Sequence, residues 1–177
     1  MRLFQKQHHG FTVIELLITI TIAGIVVGGA IAGFVSFSDR QEVLNAAKEV
    51  QQMMRTAQSK ARVREVPTLV GSEACKTLLG YQVQYLATPT KTFRIAPYCT
   101  TTNHSNGIIG ASIDLQTIPT DITVAAPDFV RFGTLESGVS FPTSVSEVLV
   151  TLSKGTHSFT FSISASGNIS NVEPTTP

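Results

Sequence analysis

The chain reads as an α+β protein: one long N-terminal α-helix, with a membrane half and an amphipathic half, packed on a C-terminal antiparallel β-sheet domain. Three observations carry that expectation. Residues 11–37 form an apolar run of 27 with a single formal charge, Glu15. Residues 39–65 then place Val43, Ala47, Val50, Met54, Ala57 and Ala61 at alternating steps of four and three, which is one apolar stripe along a helix. After Pro67 and Gly71 the composition turns to Thr, Ser, Val and Ile in short runs between turn residues, the pattern of strands.

The apolar run comes first in the chain and sets the physical problem. As a helix it would be roughly 40 Å long, more than the ~30 Å hydrocarbon core of a bilayer. A carboxylate at the middle of such a helix costs about 2.5–3.5 kcal/mol, and less near an end, so Glu15 calls for a partner that neutralises it. Inside the run, Gly24, Gly28, Gly29 and Gly33 make overlapping spacings of four, which let helices approach closely in lipid. No proline or turn cluster separates the run from the stripe, so a single helix of about 50 residues is the simplest reading. Before it, residues 1–10 carry Arg2 and Lys6 and no acid, which keeps this end in the cytoplasm by the positive-inside rule. A competing reading is an ordinary secretory signal or signal anchor, because Ala30, Ile31 and Ala32 have the form of a signal peptidase site with cleavage after Ala32. It would leave a secreted or membrane-tethered β-rich binding domain. Against it stand the acid at Glu15 and an apolar core longer than the usual 7 to 15 residues.

The β domain is expected over residues 66–177. Residues 81–87 and 91–98 read as a hairpin around Thr88, Pro89 and Thr90, in a register whose partners sum to about 178, which sets Cys99 opposite Leu79. Residues 112–118, 122–126 and 129–134 are short strand candidates. Residues 147–153 and 156–164 flank Lys154 and Gly155 as a second hairpin, followed by a last strand at 168–172 and a frayed tail from Glu173. The segment around His104 reads as a polar loop. The two cysteines, Cys75 and Cys99, read as a disulfide if this part is exported; closing a loop of about 25 residues is worth on the order of 3 kcal/mol. The state left open is two separate buried thiols.

Little in the sequence argues for catalysis or a bound cofactor. It has no GxSxG, HExxH, GxxxxGK[ST] or CxxC, so neither an enzyme nor a metal site is expected. His8 and His9 read as incidental, and His104 and His157 as surface residues. The densest basic set, Arg55, Lys60, Arg62 and Arg64, is interspersed with apolar positions, and no Lys or Arg follows Lys154. That pattern fits a solvated helix end better than a nucleic-acid surface.

The N-terminal residues also carry a resemblance. A short basic leader ending at Gly10, then Phe11, Thr12, two apolar residues, Glu15, Leu16 and Leu17 at the head of a long apolar run, resembles the type IV prepilin and pseudopilin family. The resemblance implies that a prepilin peptidase cuts between Gly10 and Phe11 and N-methylates Phe11. It also implies that Glu15 pairs with the N-terminal amine of a neighbouring subunit during assembly. Removing residues 1–10 takes Arg2 and Lys6 from 13 basic residues, leaving 11 against 12 acidic ones. The implied segments are a leader at 1–10, a transmembrane and filament-core helix at 11–38, its amphipathic continuation at 39–65, and the globular β domain at 66–177. The implied partners are the peptidase, other pilin subunits, the inner-membrane assembly platform and, before assembly, membrane lipid. The implied location is a single pass through the cytoplasmic membrane with the C-terminal domain outside, then a filament at the cell surface or in the periplasm. A long helix followed only by strands resembles minor pilins and pseudopilins of GspH/FimT type. Residues 11–65 contain no proline, unlike the helix of many major pilins, which leans toward a minor subunit.

Overall fold

The computed structural model of the chain describes residues 12–65, 75–101, 104–134 and 138–175. The chain divides into two compact units, Met1–Ser38 and Asp39–Pro177. One helix, α1, runs over Val13–Arg62, 50 residues without a break.

In the first unit the helix is apolar on every side. Val13, Ile14, Leu17, Ile25, Phe34 and Phe37 are all more than half exposed. A helix hydrophobic all round is stable only inside a large core or in lipid, and this segment is the one described helix long and apolar enough to span a bilayer. Two polar side chains within it satisfy themselves. The Thr19 hydroxyl donates to the Leu16 carbonyl and the Thr21 hydroxyl to the Leu17 carbonyl, both at 2.8 Å.

In the second unit the same helix becomes one wall of a core. All six stripe residues, Val43, Ala47, Val50, Met54, Ala57 and Ala61, are buried, joined by Ala46 and Met53. Four of these eight are alanines, which bring the backbone close to the sheets while Val50, Met53 and Met54 fill the remaining volume. The helix ends in a Schellman motif. Arg64 takes a left-handed φ of 49°, the Glu65 N–H donates to the Lys60 carbonyl at 3.1 Å, and the Arg64 N–H donates to the Ala61 carbonyl at 3.3 Å.

The strands are β1 (Thr77–Leu86), β2 (Thr92–Thr101), β3 (His104–Ile109), β4 (Asp114–Thr117), β5 (Thr123–Ala125), β6 (Phe129–Gly133), β7 (Val139–Ser140), β8 (Glu147–Lys154), β9 (His157–Ser164) and β10 (Glu173–Pro174). They form the expected antiparallel β domain, as two sheets. The larger runs β3-β2-β1-β6-β7, with β4 pairing the other half of the β2 edge that β3 occupies, and the smaller runs β10-β9-β8-β5. Alternate residues of both sheets, among them Tyr81, Val83, Phe93, Ile95, Val130, Phe132, Val150, Leu152, Phe159, Phe161 and Ile163, bury into one core with the helix stripe.

The first hairpin keeps the predicted register from Gly80 paired with Tyr98 to Leu86 paired with Thr92. Beyond Gly80 a bulge at Leu79 shifts it by one, so Cys99 faces Leu78 instead of Leu79. Gly80 is required there, since a Cβ would lie 2.1 Å from the Phe132 carbonyl oxygen on β6. The second hairpin turns on Gly155 and Thr156, one residue later than Lys154 and Gly155, with Gly155 at φ 57°. The segment at His104 is strand β3 and not a loop, because the open edge of β2 supplies backbone partners that periodicity cannot reveal. The strand expected at 168–172 reduces to an isolated bridge between Ile163 and Ile169. The start of the expected frayed tail is instead paired as β10 on β9, and the Thr175 N–H donates to the Ser158 carbonyl.

Candidate functional site

The residues singled out in the sequence fall into two groups, one at the start of the apolar helix and one in the β domain. Gly10 and Phe11 lie outside the described residues. Thr12 is the N-cap of α1. Its hydroxyl accepts the Glu15 N–H at 3.3 Å, and its carbonyl accepts the Leu16 N–H at 3.1 Å, the first turn of the ladder. Thr12 to Glu15 thus has the T-x-x-E spacing of a capping box, so Glu15 sits at a helix-start position as well as being a charge in an apolar run.

Glu15 is exposed in the first turn, where the positive end of the helix dipole favours a carboxylate. Among the described residues no cation or donor pairs with its side chain. Thr19 and Thr21 are closed on their own backbone and Ser36 has a partner. Glu15 is therefore the group in the described apolar segment whose burial in hydrocarbon would need a charge from elsewhere.

A Cβ added at Gly24, Gly28, Gly29 or Gly33 would meet nothing within 4 Å, so all four are open to a neighbour. At 100° per residue, Gly24 and Gly28 share one side of the helix while Gly29 and Gly33 lie about 140° away. The four glycines form two shallow faces and not one stripe.

In the β domain, Cys75 and Cys99 form a disulfide with Cα atoms 5.2 Å apart, both buried, fastening the approach to β1 onto β2. His104 lies in β3 and His157 opens β9, in separate sheets. No group of three His, Cys, Asp or Glu among the described residues could hold a metal ion. Lys60 of the basic set pairs with Glu65 at 2.6 Å, while Arg55 reaches only the Asn171 amide oxygen at 3.5 Å.

One constellation had no sequence signal. Lys154, at the end of β8, donates to Asp39 at 2.9 Å, Glu42 at 2.6 Å and Asp121 at 2.6 Å. The hydrogen bonds to Asp121, Glu42 and Asp39 raise the Lys154 ammonium above its ordinary range, and the bond from Lys154 holds the Asp121 carboxyl low. Lys91 donates to the Thr120 and Ile122 carbonyls, so two lysines pin the loop before β5. On the outer face of the larger sheet, Arg131 stacks over Tyr98 at 4.4 Å and Phe129 at 4.1 Å while its Nε donates to buried Gln82 at 2.7 Å. Tyr81 donates its hydroxyl to the Glu65 carbonyl at 2.6 Å, joining the helix end to β1. Burial, and then the Glu65 charge, push its pKa up.

Against known proteins, residues 5–31 match the family model described as the prokaryotic N-terminal methylation motif. The chain matches no curated protein and no solved structure.

Proposed function

We propose that this chain, a precursor of type IV prepilin and pseudopilin type by its N-terminal motif, is a structural filament subunit, and a minor one, of a type IV pilus or a type II secretion pseudopilus. The observation that carries the proposal is Glu15: a carboxylate with no partner among the described residues, at the capped start of an exposed apolar helix inside the matched motif. Such a group is costly in lipid alone and tolerable beside an ammonium, so two copies or two related subunits are favoured at one axial register. Prepilin peptidase would cut between Gly10 and Phe11 and methylate the new amine of Phe11, which then supplies the ammonium to Glu15 of a neighbour. The two glycine faces, Gly24 with Gly28 and Gly29 with Gly33, would each take a neighbouring helix. Before assembly the subunit would wait in the inner membrane with a cytoplasmic N-terminus. Other pilins and the assembly platform are the expected partners. GspH/FimT-type kinship is favoured by a long helix followed, among the described residues, only by strands, and the lack of proline in that helix favours a minor subunit.

The secretory alternative requires signal peptidase to cut after Ala32. The helix that runs unbroken through that position counts against it, because a protease needs an extended substrate.

The test is the mature N-terminus. Mass analysis should find methylated Phe11, and replacing Gly10 with a bulky residue should leave the leader attached. A mature start at Gly33 sinks the filament reading. Glu15→Ala should be processed normally but recovered at less than about a tenth of the parent level in sheared filaments. Normal recovery would show that the charge is dispensable.

A further inference from the structure

The larger sheet turns one face to the core. Tyr81, Val83, Phe93, Ile95, Val130 and Phe132 enter it, so the residues that alternate with them, Gln82, Gln84, Arg94, Tyr98, Phe129 and Arg131, stand on the opposite face. Strand register puts one arginine beside each glutamine of β1: Arg94 of β2 is the partner of Gln84, and Arg131 of β6 is the partner of Gln82. Both pairs are hydrogen-bonded. Arg94 donates from Nε to the Gln84 side-chain oxygen at 2.9 Å, with Nη2 on the same oxygen, and Arg131 donates from Nε to the Gln82 oxygen at 2.7 Å. Gln82 is 1% exposed, a buried polar anchor, and the Tyr98 and Phe129 rings hold the Arg131 guanidinium from its sides.

Two arginines are thus fixed from opposite sides onto one strand. Their anchors, Gln82 and Gln84, are two positions apart, about 7 Å along β1. Each glutamine takes the Nε side of its guanidinium, which leaves N–H donors on the terminal nitrogens for a second acceptor. Among the described residues neither Arg94 nor Arg131 is in an ion pair. Guanidinium forks held in place lose little freedom on binding and fit a carboxylate or phosphate with two parallel bonds. A spacing of about 7 Å is also that of side chains i and i+2 on one side of an extended polypeptide. The rings offer a nucleobase little to stack on, because Arg131 covers Tyr98 and Phe129 and the Gly107 backbone packs so tightly on Tyr98 that a Cβ there would lie 2.3 Å from the ring. The spacing therefore favours a peptide over a phosphodiester chain.

We infer that this face is a docking site for a different protein, which lays an extended acidic segment along β1 with carboxylates two positions apart, one on Arg94 and one on Arg131. A second copy of this chain does not supply such a segment, since no two of its 12 acidic residues stand two positions apart. Leu115, the register partner of Arg94 on β4 and 61% exposed, gives the site an apolar shoulder for a flanking side chain of the segment. The inference assigns the β domain a ligand, and it stands whether or not the chain enters a filament.

Two fluorescein-labelled peptides of equal composition test it: Thr-Val-Glu-Thr-Glu-Val-Thr, with its carboxylates two positions apart, and Thr-Val-Glu-Glu-Thr-Val-Thr, with them adjacent. Fluorescence anisotropy with the full-length chain in non-ionic detergent at low salt should show the first peptide binding about tenfold tighter than the second, and high salt should abolish the difference. Equal affinity for the two, or binding of neither, overturns the inference without recourse to any variant. Arg94→Lys and Arg131→Lys keep the charge but lose the planar fork, and each should weaken the first peptide about tenfold, while Arg55→Ala on the helix should leave its affinity unchanged. Undiminished binding by a lysine variant that melts at the parent temperature removes that arginine from the site and refutes the pairing. Tighter binding of single-stranded oligothymidylate than of the first peptide, at the same salt, would replace the acidic segment with a nucleic acid and overturn the assignment.

Discussion

Arg64 offers a direct measure of how the helix end is held. It occupies the C′ position of the Schellman motif at φ 49°, where a side chain crowds the backbone and glycine does not. The left-handed conformation costs an L-residue about 1–2 kcal/mol, and glycine restores about 0.4–1 kcal/mol of that as extra freedom in the unfolded chain. Arg64→Gly should therefore stabilise the second unit by about 0.5–1 kcal/mol, a rise in melting temperature of about 2–4 °C for a unit of this size. Arg64→Ala is the control, because it removes the guanidinium but keeps the Cβ, and its effect should lie within about 0.5 kcal/mol of zero. Urea or thermal unfolding of the detergent-solubilised chain reads both. If glycine and alanine shift stability equally, the side chain matters and the backbone does not. If glycine destabilises, the two capping bonds from Glu65 and Arg64 do not govern the helix end.

Two further outcomes follow from the core and the charges. Met54→Ala, at a site 2% exposed between the helix and the sheets, should lose about 2–5 kcal/mol in the same unfolding measurement, while Gln52→Ala on the exposed back should lose less than about 0.5 kcal/mol. Asp121, held low by Lys154, contributes stability that is present above the ordinary carboxylate pKa and lost as pH falls through its folded value. Lys154, held high, contributes stability that is present below the ordinary lysine pKa and lost as pH rises through its own. The Asp121–Lys154 pair should thus act in full between about pH 5 and 9, and the loss in melting temperature caused by Lys154→Met should be smaller at about pH 2 than at pH 7, because the pair weakens as pH falls toward the lowered Asp121 value. An equal loss at both values would assign the effect to packing of the lysine stem.

Local features of the sequence were legible wherever one residue type has one physical use. The stripe from Val43 to Ala61 could only be a buried helix face, and all six of its residues are buried. The hairpin at Thr88 to Thr90 was readable because a tight turn sets register, and it held until the bulge at Leu79 displaced Cys99 by one partner. The strand at His104 and the pairing of Glu173 and Pro174 were not readable. Neither segment alternates strongly, and each is ordered by an open strand edge supplied from elsewhere in the chain.

The N-terminal motif shows the same boundary. Glu15 stood out by cost alone, as one charge in a lipid-length run, and residues 5–31 carry a family pattern that is purely local. Sequence by itself determined the long helix, its two characters and the N-terminal methylation motif, because helix periodicity and lipid solubility depend on neighbours within a few residues. Tertiary structure alone decided that the β domain is two sheets, that Lys154 gathers Asp39, Glu42 and Asp121, and that Arg55 and Arg62 stand over a groove walled by Ser166 to Asn168. Those partners lie from about 30 to more than 100 positions apart, and no local energy term links such residues until the core has brought them together.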